Sequence, residues 1–301
     1  MKIYQGVIVP MVTPINKDYS IDTESVEGII STFLKEGCAP FILGTTGEST
    51  SLSNVQKLAL AKATVEATAG KEKIFAGISS TSLFEAIDQA RAYRDLGVDV
   101  MVTTLPYYYP ITPAEMIKFF TQLADHIACP LILYNMPAMV GERISLEVAD
   151  ELSHHPYIVG MKDSERDPVR IDNSIELWKN RDDFGFYLGW AAQSAYSLLK
   201  GADGIVPSTA NFVPKLFKEL YEAARSGDAD TAYKLQELTD EISLIYQKNR
   251  KLNTSLPALK VLMEALNLCN SYVIPPMYNI VQDEQLKLKT QIGDILKKIK
   301  V

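Results

Sequence analysis

Short apolar, β-rich runs alternate along most of the chain with longer stretches whose apolar positions recur at helical spacing. IYQGVIVPMV, PFILG, KIFAGI, VDVMVTT, PLILYN, YIVGMK, GFYLG and ADGIV have the first character; TESVEGIISTFLKEG, LFEAIDQARAYRDLG, PAEMIKFFTQLADHI and DPVRIDNSIELWKN have the second. Runs such as PLILY and YIVGM are continuously apolar, as strands of a parallel sheet covered on both faces must be, whereas one solvated face would impose alternation. Eight such β-α units predict an α/β fold, a closed (β/α)8 TIM barrel. From about residue 212 strand signals give way to helical ones, ending in LPALKVLMEALNL and DEQLKLKTQIGDILKKIK. The expected division is a barrel domain over 1–225 and a C-terminal helical extension over 226–301, with no low-complexity linker between them.

Composition narrows the functional classes. Of 301 residues 47% are apolar and 22% charged, which is ordinary for a globular protein. Thirty Lys and Arg against 37 Asp and Glu give a net charge of −7. No basic run is present to track a phosphate backbone, so nucleic acid is not an expected partner. No apolar run approaches the roughly 18 to 20 residues of a membrane span, and the start MKIYQGVIVPM lacks the order of a signal peptide. The expectation is a cytoplasmic protein with no membrane contact. Cys38, Cys129 and Cys269 lie far apart without CxxC or nearby His spacing, which points to buried, reduced thiols and to no metal site.

In such a barrel the chemistry sits where the C-terminal ends of the strands converge. PFILGTTGEST leaves Thr45, Thr46 and Gly47 after a buried strand, able to offer backbone N–H groups and two hydroxyls to a small anion, or else forming a plain β-α turn with Glu48 near a helix start. YIVGMKDSERD puts Lys162 directly after an apolar run. Facing the sheet interior, its amine would lose its proton readily and attack a carbonyl to give a Schiff base; one position beyond the barrel, it would pair with Asp163 or Glu165 in solvent. PLILYNMP ends in Tyr134, whose phenol could shuttle a proton or simply cap the core. In TTLPYYYP, Tyr107, Tyr108 and Tyr109 make an aromatic loop fit for a ligand or a subunit interface.

With these residues in view, the chain resembles the dihydrodipicolinate synthase / N-acetylneuraminate lyase family of Schiff-base aldolases. The likeness runs from GVIVPMVTP (Gly6 to Pro14) through GTTGES (Gly44 to Ser49), Gln56, PYYYP (Pro106 to Pro110), YNMP (Tyr134 to Pro137), GMKDS (Gly160 to Ser164) and GIVPSTANFVP (Gly204 to Pro214) to LPALK (Leu256 to Lys260). The resemblance implies that Lys162 forms an imine with pyruvate or another 2-oxo acid. It further implies that Thr46 with the adjacent donors of Gly47 holds the carboxylate, and that Val206 lines the pocket. Thr45 and Tyr134, with Tyr108 from a neighbouring subunit, would form a proton relay. A homotetramer built as a dimer of dimers follows, and the covalent imine requires no cofactor.

The aldehyde partner is where the pattern departs. Synthases carry an arginine shortly after YN-x-P for the carboxylate of aspartate semialdehyde; here Met139 stands there, with Arg143 four residues on. Sialic acid lyases use an acidic pair after strand seven, where this chain has Trp190, Ala191, Ala192 and Gln193, leaving Ser208 and Thr209 as the polar wall. The sequence therefore predicts a pyruvate-forming or pyruvate-consuming lyase with an unassigned aldehyde. The alternatives are the synthase proper, a keto-deoxy sugar acid dehydratase or aldolase, and a silent paralogue that binds a 2-oxo acid, which would have no need of the amine.

Overall fold

The structure, a computed structural model, describes residues 4–299; residues 1–3 and 300–301, the outer ends of the expected barrel and extension, lie outside the described residues. Eight parallel strands close on themselves in sequence order, β1 pairing with both β2 and β8. They are β1 (Gly6–Pro10), β2 (Ala39–Ile42), β3 (Phe75–Gly77), β4 (Val100–Thr104), β5 (Leu131–Asn135), β6 (Ile158–Asp163), β7 (Gly185–Leu188) and β8 (Gly204–Ile205). The connecting helices are α1 (Thr23–Lys35), α2 (Asn54–Thr68), α3 (Leu83–Leu96) and α4 (Pro113–Ile127), then the one-turn α5 (Pro137–Val140) with α6 (Leu146–Leu152), and α7 (Pro168–Trp178), α8 (Ser194–Lys200) and α9 (Pro214–Arg225). The expected (β/α)8 barrel is thus the fold. Beyond it lie α10 (Ala229–Gln247), α11 (Leu252–Ala265) and α12 (Gln282–Ile299), α10 packing on α8 and α9.

Alternation along each strand makes two cores. Outward residues such as Leu131, Leu133 and Met161 join the helices in a continuous apolar sheath. Inward residues Ile8, Phe41, Phe75, Val102, Ile132, Tyr187 and Val206 fill the barrel itself. Tyr187 fits only because its neighbours lack side chains: a Cβ on Gly160 would lie 2.7 Å from its ring, and one on Gly185 2.4 Å from its hydroxyl. That hydroxyl donates to the Tyr4 carbonyl at 3.0 Å.

Caps fix where the helices begin. Ser53 with Gln56 and Thr112 with Glu115 form reciprocal capping boxes at α2 and α4, and the Gln56 amide also reaches the Tyr19 carbonyl. All three cysteines are buried free thiols, and burial pushes Cys38 and Cys269 up to about 12. Among the described residues no helix is long and apolar enough to cross a membrane.

Candidate active site

Strand β6 carries Lys162 to its C-terminal end and turns the side chain into the barrel, where the residue is 6% exposed. The flanking acids are engaged elsewhere. Asp163, on the opposite face of the strand, accepts from Arg170 at 2.6 Å and from Asn135 at 3.0 Å, while Glu165 takes Asn135 and the rim residue Arg143. Lys162 is therefore not the solvent partner of Asp163 or Glu165, and burial holds its amine below the ordinary 10.5. Phe41, Phe75 and Tyr187 line the small space around it, together with Val206.

Tyr134 is the register partner of Lys162 across β5 and β6, and the amine lies 3.7 Å from the centre of its ring. The Thr45 hydroxyl reaches the phenol at 3.4 Å. Burial alone would raise the phenol. The Lys162 amine and the hydroxyls of Thr45 and Ser164 outweigh it and bring it below 10.0. Ser164 escaped the sequence reading, although its place after GMKD is a signal that could have marked it.

The β2–α2 loop carries Thr45, Thr46 and Gly47, the residues expected to meet an anion. The Gly47 N–H closes a turn on the Gly44 carbonyl at 3.1 Å, whereas the N–H groups of Thr45 and Thr46 make no hydrogen bond among the described residues. Two backbone donors and two hydroxyls are thereby offered on the rim beside Tyr134. Glu48, beyond them, is buried against the C-terminal helices rather than serving an ordinary helix start.

Other expected residues sit farther out. Met139 rides on α5 at 51% exposure, and Arg143, paired with Glu165, faces solvent. Trp190 is half-buried at the start of a single 3-10 turn after β7, braced by Gln236 of α10, which donates to the Ala191 carbonyl. The Ser208 hydroxyl is committed to Tyr246 of α10 at 2.7 Å, and Thr209 meets Tyr246 and Ser243. Tyr108 is not brought to the site within its own chain. It stands 83% exposed at φ +93°, its ring edge-on to Tyr109. No cluster of His, Cys, Asp and Glu suited to a metal ion occurs among the described residues.

A closed barrel with a buried amine, a phenol and free backbone donors at the C-terminal ends of its strands has the architecture of an enzyme barrel. The chain belongs to the dihydrodipicolinate synthetase family, whose sequence model matches residues 3–295, and it is a lyase of that family. Its fold is similar to that of dihydrodipicolinate synthase from Bacteroides thetaiotaomicron, with a TM-score of 0.93 and 31% identity over 98% of this chain and 99% of that one. A chloride-inhibited dihydrodipicolinate synthase from Acinetobacter baumannii, complexed with pyruvate, matches with a TM-score of 0.87 and 28% identity over 97% and 98% of the two chains. In sequence, the probable 2-dehydro-3-deoxy-D-pentonate aldolase YjhH of Escherichia coli is 28% identical over 293 residues, 96% of each chain.

Proposed function

We propose that Lys162 forms a Schiff base with pyruvate or a related 2-oxo acid, and that the enzyme makes or cleaves an aldol bond to an aldehyde still to be assigned. The observation that carries this reading is the buried Lys162 amine held 3.7 Å over the Tyr134 ring, with the Tyr134 hydroxyl in turn on Thr45. A neutral amine adds to the C2 carbonyl, the carbinolamine hydroxyl leaves as water with a proton from the Tyr134 phenol, and the resulting iminium gives up a C3 proton to the phenolate so formed, the C–H electron pair becoming the enamine double bond. The enamine carbon then attacks an aldehyde, whose oxygen takes the phenol's proton, and water hydrolyses the iminium to free Lys162. In the reverse direction the hydroxyl loses its proton, the carbon–carbon bond breaks to expel the aldehyde, and the enamine left on Lys162 is protonated at carbon and hydrolysed to the 2-oxo acid. The likeness to a synthase complexed with pyruvate supports the first substrate.

In this reading Thr46 and the cradle around Gly47 take the carboxylate, Val206 lines the 2-oxo acid pocket, and Met139, Trp190 and Ser208 border the aldehyde. Residues 1–225 are the catalytic unit, and 226–301 brace it. We place the enzyme in the cytoplasm as a homotetramer, a dimer of dimers, in which Tyr108 completes a neighbour's relay. It uses the covalent imine in place of a cofactor. Met139, where a cation would meet a second carboxylate, favours an aldehyde with fewer charges than aspartate semialdehyde. The likeness to an aldolase rather than a synthase alone is consistent with that choice.

The test is borohydride reduction in the presence of pyruvate, followed by peptide mass spectrometry, and a lactate-dehydrogenase-coupled assay of pyruvate release across a panel of 2-oxo acids. A three-carbon adduct on Lys162 is the expected result. An adduct on another lysine, or on none, refutes the mechanism.

A further inference from the structure

One buried ion pair ties the anion cradle to the helices outside the barrel. Glu48 directly follows the Thr45–Gly47 loop, in a left-handed conformation at φ 55° that a side chain adopts only where its surroundings over-determine it. Its carboxylate pairs with the Lys260 ammonium of α11, both side chains being 1% exposed. Each group spends its remaining capacity on the same region. Glu48 Oε2 accepts from the Ile274 N–H at 2.8 Å, and Lys260 Nζ donates to the Tyr272 carbonyl at 2.8 Å.

The loop's other flank is equally confined. The Thr13 hydroxyl donates to the Gly47 carbonyl at 2.6 Å, and a Cβ on Gly47 would come within 3.1 Å of the Met11 carbonyl and 3.2 Å of the Leu43 nitrogen. The 44–49 loop is thus gripped from the segment after β1 on one side and from the C-terminal extension on the other. Buried ion pairs add little net stability, because desolvation offsets their attraction, and their best-attested use is to fix one geometry among several. What this pair holds still is the stretch of backbone whose Thr45 and Thr46 N–H groups have no hydrogen-bond partner among the described residues.

We propose that Glu48 and Lys260 are a positioning pair for the 2-oxo acid carboxylate, so that the C-terminal extension sets the enzyme's affinity for its first substrate without touching it. The inference rests on the proposed imine chemistry. It predicts a separation of effects: loss of the pair disorders the cradle and weakens carboxylate binding, while Lys162 and Tyr134, anchored on β6 and β5, keep their reactivity.

The experiment measures the rate of borohydride trapping against pyruvate concentration. It uses the full-length protein, its Glu48→Gln and Lys260→Met variants, and the double variant, which buries no unpaired charge. The expected result is a half-saturating pyruvate concentration raised about tenfold or more, with the trapping rate at saturation within about twofold of the parent. The double variant should be no worse than the worse single one. A folded variant with unchanged half-saturation, or one that loses the saturated rate alone, overturns the proposal. A second measurement needs no variant. Hydrogen exchange of the unmodified protein should show that pyruvate protects the Ile274 amide together with the 44–49 loop, and protection of the loop without Ile274 also overturns it. If the unmodified protein is not labelled on Lys162 at all, the imine chemistry falls; if it is labelled and these two readouts stay flat, only the role of the pair falls.

Discussion

Lys162 and Tyr134 are register partners on adjacent strands, and the amine of one lies over the ring of the other. A strand pair holds its side chains to a fixed spacing, so an amine and a phenol placed this way stay together without a flexible loop between them. The same pairing couples the two groups, since the Lys162 amine lowers the phenol and burial lowers the amine.

Replacing Lys162 with Met should abolish pyruvate trapping and lower turnover on the order of 10⁴-fold or more, as removal of a covalent nucleophile does. Stability should move the other way. The native amine is held below 10.5 and the unfolded chain restores 10.5, so between those values the unfolded state binds the extra proton and the parent gains stability as pH rises. The variant lacks that slope. Urea unfolding at several pH values should therefore show Lys162→Met more stable than the parent at pH 7, with the difference shrinking as pH approaches 10.5.

Tyr134→Phe keeps the ring beside the amine and removes the hydroxyl that meets Thr45. A fall of about 10²- to 10⁴-fold in kcat is expected, the usual worth of a positioned acid-base group, with a smaller fall for Thr45→Val. Steady-state kinetics with the identified 2-oxo acid decides it; a kcat within threefold of the parent would remove Tyr134 from the relay.

Tyr108 should matter only in the assembled enzyme. Light scattering at micromolar concentration is expected to give a tetramer mass, and Tyr108→Phe to lower kcat by about 10²-fold without a change in melting temperature. A monomer with full activity contradicts both statements.

Met139→Arg should raise catalytic efficiency on aspartate semialdehyde by about one to two orders of magnitude. Hydrogen bonds to a charged group contribute roughly 1.5–3 kcal/mol, and the parent offers a thioether there. Comparing kcat/KM for parent and variant is the check. A parent already as efficient as the variant would mean that Arg143, despite its bond to Glu165, supplies the charge.

The barrel was legible because parallel strands buried on both faces read as unbroken apolar runs, and PLILY and YIVGM are such runs. Lys162 was legible as a candidate but not as a buried one: the residue stands at a strand end where one face is interior and the other meets α7, and only the folded register decides between them. Asp163, one residue on, took the other face and with it Arg170. Ser208 illustrates a different loss, since nothing local in GIVPSTANFVP announces that its hydroxyl meets Tyr246, brought from α10 by tertiary packing. Glu48 and Lys260 were both within motifs quoted from the sequence, yet their partnership spans the whole chain and has no periodicity to reveal it. The single turn α5, which opens on Pro137, was likewise unannounced.

Tyr187, seated over Gly160 and Gly185, stoppers the barrel from below. A vessel closed at its base is entered through the mouth above, and on the proposed reading Met139 and Trp190 border that doorway. Traffic through that doorway is consequently in single file. The 2-oxo acid has to occupy the bottom before an aldehyde can lie above it, and an aldehyde arriving first blocks the way, so excess aldehyde should inhibit by competing with the acid for entry.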